Sequence, residues 1–431
     1  MSSRSKTSAE VAGVRRAAFQ RLLELRALCA GLLIAQLSLS ACAVPERLPA
    51  VPEALTTEAR ITQEEIAGGS VLRFWVNEDP EPLVREGLEA LRKEQDDRAR
   101  SGQTGPLPPA TFLAISGGSD GGAFGAGLLN GWSVAGTRPE FKIVTGISTG
   151  ALIAPLAFLG PDYDGELKKA FTTISKEDIY AKRGLLAALF DDGMVDSRPL
   201  LNLVSSYVTP ELLARVAQEY GKGRLLLVGT TDLDIHQPVI WNMTAIAASG
   251  DSGALDLFRK ILVASSSIPG FFPPVMIPVG INGQKYEEMH VDGGAMAQVF
   301  LYPPYFLLGH HAAQAGAQRT RTLYLIRNAR LDAEWASVDR KTLNIANRAV
   351  SAVIYSQGVG DLYRIYLTTQ RDGIDYHLAH IGPDFDAPHP EEFDTAYMRQ
   401  LFDYGYELAR KGYAWHKYPP GYVPAPAAAA E

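Results

Sequence analysis

The stretch Phe141-Lys142-Ile143-Val144-Thr145-Gly146-Ile147-Ser148-Thr149-Gly150-Ala151-Leu152-Ile153-Ala154-Pro155-Leu156-Ala157-Phe158 reads as a buried strand, a sharp turn and an apolar helix. Phe141 to Thr145 has the β-branched and aromatic make-up of a strand, and Ala151 to Phe158 that of a helix packed on a sheet. Between them stands Gly146-x-Ser148-x-Gly150, the shape of a nucleophile elbow. Glycines two residues to either side relieve the crowding that a strained serine backbone creates against the neighbouring strand and helix. The Ser148 hydroxyl is then exposed at the strand's C-terminal end. The backbone N–H of Thr149 and the helix N-terminus face the charge that develops there. The structural reading of the same residues is a serine capping a helix after a turn.

Upstream lies a second glycine-bracketed turn, Ser116-Gly117-Gly118-Ser119-Asp120-Gly121-Gly122. It follows the strand Thr111 to Ile115 and precedes the helix Ala123 to Leu129, whose small residues suit close packing. Such a loop aims successive backbone N–H groups at an anion. Nucleotide phosphates are cradled in this way too, but the chain has no Gly-Lys-Ser/Thr ending and no G-x-G-x-x-G with an acid about twenty residues on. A serine elbow follows instead, which favours an oxyanion.

A third element, His290-Val291-Asp292-Gly293-Gly294, comes after Ala264-Ser265-Ser266-Ser267-Ile268-Pro269-Gly270-Phe271-Phe272-Pro273-Pro274-Val275. Taken in this order, the glycine loop, the elbow, the Ala-Ser…Ile-Pro…Phe-Pro-Pro stretch and the Asp-Gly-Gly resemble the patatin-like phospholipase family, across roughly residues 110 to 305. The resemblance implies an α/β three-layer fold with a mainly parallel central sheet and helices on both faces. It also implies a Ser–Asp dyad in place of a triad, with Ser148 as nucleophile and Asp292 as general base. Gly146 and Gly150 are then the elbow glycines, and Gly293 and Gly294 complete the aspartate motif. Gly117, Gly118, Ser119 and Thr149 are the expected oxyanion donors. The family's loop carries a third glycine where Ser119 stands and a basic residue where Gly121 stands, so no loop cation is expected. Asp120 would repel an oxyanion if it pointed inward, and it is expected to cap the helix starting near Gly122.

A carboxylate in hydrogen-bond reach of a serine can take its proton without an intervening imidazole. An ordinary aspartate is a weak base, so burial that raises its pKa would help, and Asp292 is expected to be buried. Without the upstream motifs, Asp292 would read as an Asp-Gly turn after a strand. The α/β-hydrolase order of Ser, acid, then His offers His377, His380, His389 and His416, none in a marked context. His290 would share a strand face with Asp292 and is left unassigned. Thr230-Thr231-Asp232-Leu233-Asp234 reads as a turn whose acids serve hydrogen bonds rather than metal, and no cofactor is expected.

Residues 1–41 combine a basic start, an apolar core from Ala27 to Leu39 and small residues, the make-up of an export signal. Leu39-Ser40-Ala41-Cys42 resembles a bacterial lipobox, which implies lipidation at Cys42 and a membrane-anchored envelope lipoprotein. An uncleaved anchor helix is the alternative. The chain has two cysteines, Cys29 within the leader and Cys42, so a disulfide framework or thiolate metal site is excluded from the mature protein. The net charge is −7; the leader carries six cations against two acids, which leaves −11 for the rest. Such a domain is a poor partner for nucleic acid, and attachment to a membrane should come from lipid. Residues 42–108 read as a proline-punctuated tether and N-terminal extension. They include a charged helix near Glu81 to Arg100 and a boundary at Gly102 to Pro106. Residues 109–305 form the catalytic core. Residues 306–431 complete the α/β fold with helices at Thr342 to Tyr355 and Glu392 to Lys411, then a Pro/Ala-rich tail from Pro419 expected to be disordered. The run Ile268 to Val275 reads as a packed loop or a lip meeting lipid tails. A serine acyl hydrolase acting on lipid esters is the leading reading, and a catalytically silent envelope scaffold is the alternative.

Overall fold

The computed structural model describes residues 47–61, 71–76, 80–183, 192–332, 335 and 337–424. The leader, Cys42 and the first residues of the tether lie outside them. The strands are β1 (Arg73–Trp75), β2 (Ala110–Ile115), β3 (Ile143–Gly146), β4 (Ala181–Lys182), β5 (Val195–Asp196), β6 (Leu225–Asp232), β7 (Gln237–Asn242), β8 (Val275–Ile281), β9 (Gln284–Asp292), β10 (Arg321–Arg330) and β11 (Ile374–Ile381). Nine of them make one sheet, and β4 with β5 form a separate ribbon. Its centre, β6-β3-β2-β10-β11, is parallel throughout. On the β6 side the sheet turns antiparallel through β7, β1, β9 and β8. Leu113, Ala114 and Ile115 of β2 are fully buried, as expected of a parallel strand covered on both faces.

The helices that position the site are α1 (Glu81–Arg100), α2 (Gly122–Val134), α3 (Thr149–Leu159), α4 (Ala254–Ser265), α5 (Thr342–Asp372) and α6 (Thr395–Arg410). Helices α2 and α6 touch almost backbone to backbone. A side chain at Gly127 would lie 2.0 Å from the Phe402 carbonyl, and one at Gly405 would lie 2.5 Å from that of Phe124. Three segments differ from the sequence reading. Helix α5 runs on past Tyr355 to Asp372, because Leu362, Ile365 and Tyr366 extend an apolar face onto the sheet. The tether is docked from Leu48: its N–H donates to Glu287 (3.0 Å), the Glu287 N–H donates to Pro49 (3.1 Å), and Val51 is buried. The tail is anchored at its start, since the Pro420 carbonyl accepts from Tyr363 (2.8 Å) and the Tyr422 ring lies 4.9 Å from Tyr366; the rest of the expected disordered tail, 425–431, lies outside the described residues. No helix among the described residues is long and apolar enough to cross a membrane.

Candidate active site

The parallel register sets the C-terminal ends of β2 and β3 side by side, with Ile115 opposite Gly146. The glycine loop leaves one and the elbow leaves the other. Ser148 adopts φ 56° and ψ −127°, a region non-glycine residues rarely occupy, at the entry to α3. A Cβ at Gly146 would meet the Gly150 carbonyl at 2.4 Å, and one at Gly150 would meet the Ile115 carbonyl at 2.3 Å. The elbow therefore admits no side chain on either flank. The Ser148 N–H donates to Ser265 Oγ (3.0 Å), whose hydroxyl donates to the Gly229 carbonyl (2.7 Å). Ser265, at the end of α4, thus braces the strained turn against β6.

Asp292 closes β9, opposite Thr230 on β6. Its N–H donates to the Ser267 carbonyl (2.8 Å), and its Oδ1 accepts from the Gly294 N–H (2.7 Å). The carboxyl is buried and within hydrogen-bonding reach of the Ser148 hydroxyl. Burial pushes its pKa up to about 7, against the pull of the Ser148 and Gly294 donors. That value suits a base working near neutral pH.

Among the described residues no acceptor takes the N–H of Gly118, Ser119 or Thr149. Gly117 departs from the expectation: its N–H is spent on the Gln298 carbonyl (3.0 Å), so it is not a free donor. Its absent side chain matters instead, because a Cβ there would sit 3.1 Å from Ser148 Cβ. Gly118 has φ 153°, and a Cβ would strike the Asn328 carbonyl at 2.0 Å. Asn328 of β10 shapes this loop further, donating Nδ2 to the Ser116 carbonyl (2.8 Å) and accepting from the Gly125 N–H (3.1 Å). Gln298 holds the other side. Its N–H donates to Asp361 (2.6 Å), and its Nε2 donates to the Gly294 carbonyl (2.8 Å) and to Gln357 (3.1 Å). No motif in the sequence marks Gln298 or Asn328, and Ser265 stands out only through the Ala-Ser stretch.

Asp120 is not a helix cap. Helix α2 begins without a side-chain cap, and the Asp120 carboxylate accepts from His389 Nε2 (2.8 Å) and the Phe393 N–H (2.8 Å). The loop 389–393 reaches across to it and engages its charge. The bond to Asp120 raises the His389 pKa. His290 is fully buried against Thr230 (3.0 Å) and Glu288 (3.3 Å). No histidine among the described residues bonds to Ser148 or Asp292. The ligand atoms of Asp232, Glu288 and His290 lie within 4.8 Å of one another, a spacing that could hold a metal ion. Arg73, buried beside Glu288, already supplies the cation there. Asp232 accepts from the Asp234 N–H (2.9 Å), as the turn reading requires.

Apolar space flanks the site. A narrow cavity beside the glycine loop is lined by Ser119, Thr149, Leu152, Phe171, Phe393 and Met398, among others. A larger one of about 320 Å³ lies behind Ile147 and Gly293. A third, of about 110 Å³ between α1 and the sheet, is far from the elbow, lined by Phe112 and Ile143 near the other ends of their strands.

Residues 113–304 match the family model described as patatin-like phospholipase. No curated protein sequence matches the chain. Among solved structures, VipD from Legionella pneumophila is similar at 11% identity, over 71% of this chain and 67% of that one, with a TM-score of 0.35. Human GIVD cytosolic phospholipase A2 is similar at 10% identity, over 80% of this chain and 67% of its own, also with a TM-score of 0.35. The mixed α/β architecture agrees with the family match, which supports a lipid ester hydrolase.

Proposed function

We propose that this chain, with its patatin-like phospholipase match over residues 113–304, is a serine acyl hydrolase that cleaves carboxylic esters of lipids through Ser148 and Asp292. The observation that carries the reading is the buried Asp292 carboxyl in reach of a serine held at φ 56°. In the first step Asp292 takes the hydroxyl proton while Ser148 Oγ attacks the ester carbonyl carbon. The resulting oxyanion is met by the N–H groups of Gly118, Ser119 and Thr149. Collapse expels the alcohol, which leaves with the proton from Asp292, and an acyl-serine remains. Water, deprotonated by the same carboxylate, attacks the acyl carbon; the acyl–Oγ bond then breaks, the fatty acid leaves, and Ser148 recovers its proton from Asp292.

The apolar linings beside Ser119 and behind Ile147 support a lipid acyl chain over a polar ester. A silent scaffold has no use for the backbone strain at Ser148 or for a carboxyl buried against it. Hydrolysis of p-nitrophenyl butyrate by the wild type, Ser148→Ala and Asp292→Asn tests the reading. Loss in both variants with folds intact is expected; activity surviving in Ser148→Ala would overturn it. A fluorophosphonate probe should label Ser148 and no other residue. Export and lipidation at Cys42 are part of the same proposal and rest on the leader's sequence alone. Mass spectrometry of the N-terminal peptide, with Cys42→Ala as control, tests them.

A further inference from the structure

Helix α5 outruns the body it packs on. From Gly358 onward it lies against the sheet, with Asp361, Leu362, Ile365, Tyr366 and Thr369 buried. From residue 342 to 356 every residue whose burial is described is exposed, save the half-buried Arg348. Yet this part carries Ile345, Val350, Val353 and Ile354, exposed by 52, 57, 67 and 38%. Fifteen helical residues span about 22 Å. A helix of that length with nothing to pack on is marginal in water.

Topology says where this arm points. Helix α5 is the crossover between the parallel strands β10 and β11, so it runs against them and its N-terminus stands at their C-terminal edge. Ser148 and the glycine loop lie at that edge. Gln357 and Asp361 bond Gln298, which bonds Gly117 and Gly294, so the helix is level with the site where the arm begins. Helical periodicity says which way its faces turn. Asn344, Arg348, Ser351 and Tyr355 share the face that continues into Leu362, Tyr366 and Thr369, by which α5 packs on the body. The Tyr355 hydroxyl indeed donates to the Leu331 carbonyl (2.8 Å). Ile345, Ala346, Ala349, Val350 and Val353 share the opposite face, turned outward. The arm 342–356 and the four residues before it carry Arg340, Lys341 and Arg348 against Asp339, a local positive charge on a chain of net −7. Trp335, just ahead of them, is 89% exposed.

We propose that the α5 arm docks on an anionic lipid surface and so brings the Ser148 edge to the bilayer. An outward apolar face with a cationic start and an exposed tryptophan ahead of it is the make-up of an interfacial helix. A second copy of the arm would bring like charge to like charge, which disfavours self-pairing. The proposal rests on the lipid-ester reading of the site.

The test uses the full chain, so that any anchor at the N-terminus is common to all samples. Vesicles of phosphatidylglycerol and phosphatidylethanolamine should slow amide hydrogen exchange at 342–356 more than vesicles of phosphatidylcholine do. The double variant Val350→Asp/Val353→Asp should hydrolyse vesicle lipid at least tenfold more slowly, with kcat/KM on dispersed p-nitrophenyl butyrate within twofold of wild type. Exchange at 342–356 unmoved by vesicles, or full vesicle hydrolysis by the double variant, would overturn it. So would protection of the arm by self-association without lipid. If the wild type hydrolyses neither substrate, the active-site reading fails, and the exchange measurement still decides the arm.

Discussion

Replacing Asp292 by asparagine should abolish hydrolysis and yet stabilise the fold at alkaline pH. The carboxyl has an ordinary value of 3.8 when solvated and is pushed up to about 7 by burial. An acid whose folded pKa is raised costs nothing below its unfolded value. Its cost then grows as pH climbs from about 4 to about 7 and is complete above that. A shift of roughly three units corresponds to about 4 kcal/mol at 1.36 kcal/mol per unit, an upper bound that relaxation reduces. Asparagine keeps an oxygen for the Gly294 N–H and carries no charge. For a chain of this size, at about 2.1 cal/mol/K per residue, 2–4 kcal/mol is a rise of roughly 2–4 °C in Tm. Scanning calorimetry of both proteins at pH 4.5 and pH 8.5 measures it. The asparagine variant should melt higher at pH 8.5 and no higher at pH 4.5. A Tm difference independent of pH, or a variant less stable at pH 8.5, would refute the argument that Asp292 is a buried charge held for function.

The same carboxyl sets the pH profile: kcat/KM should rise with a single ionisation centred near 7, and a midpoint below 5 would mean the base is not desolvated. Ser265→Ala removes the hydroxyl linking the Ser148 N–H to the Gly229 carbonyl. It should lower stability by about 1–3 kcal/mol in urea titration and kcat by roughly tenfold or more through misplacement of Ser148, the proposed nucleophile. Gly150→Ala would drive a methyl to 2.3 Å from the Ile115 carbonyl; a cost of about 3 kcal/mol or more is expected, seen as loss of soluble protein. The raised pKa of His389 means that the stability its charged pairing with Asp120 contributes is fully present below about pH 6.5 and is lost as pH rises through the raised value. Amide exchange at 389–393 should therefore quicken with pH beyond the intrinsic base dependence, and His389→Ala should remove that excess.

The elements nearest the chemistry were legible because their signals are local. A strand, G-x-S-x-G and a helix occupy 18 consecutive residues from Phe141 to Phe158; the crowding that demands Gly146 arises within that turn, whereas that at Gly150 comes from Ile115 and Ser116 of the neighbouring strand and loop. The parallel centre of the sheet was legible as well, since alternating strands and helices leave few ways to connect. What escaped was non-local. Nothing near Gln298 announces that its carbonyl takes the Gly117 N–H, because the partners are 181 residues apart in the chain and meet only where α5 crosses the site. The loop 389–393 captures Asp120 from 269 residues away, which overrides the local preference of an aspartate for a helix start. The tether and the tail read as loose because closely spaced prolines remove backbone donors and interrupt regular structure, yet Pro49 and Pro420 supply carbonyls to docked partners.

By itself, then, the sequence determined the elbow, the glycine loop and the class of fold, since backbone sterics and hydrophobic periodicity act over a few residues. The tertiary structure alone decided which loop N–H groups remain free, how far Asp292 is desolvated, and which face of α5 is left bare. Each of those depends on what distant segments of the chain bring to the same point.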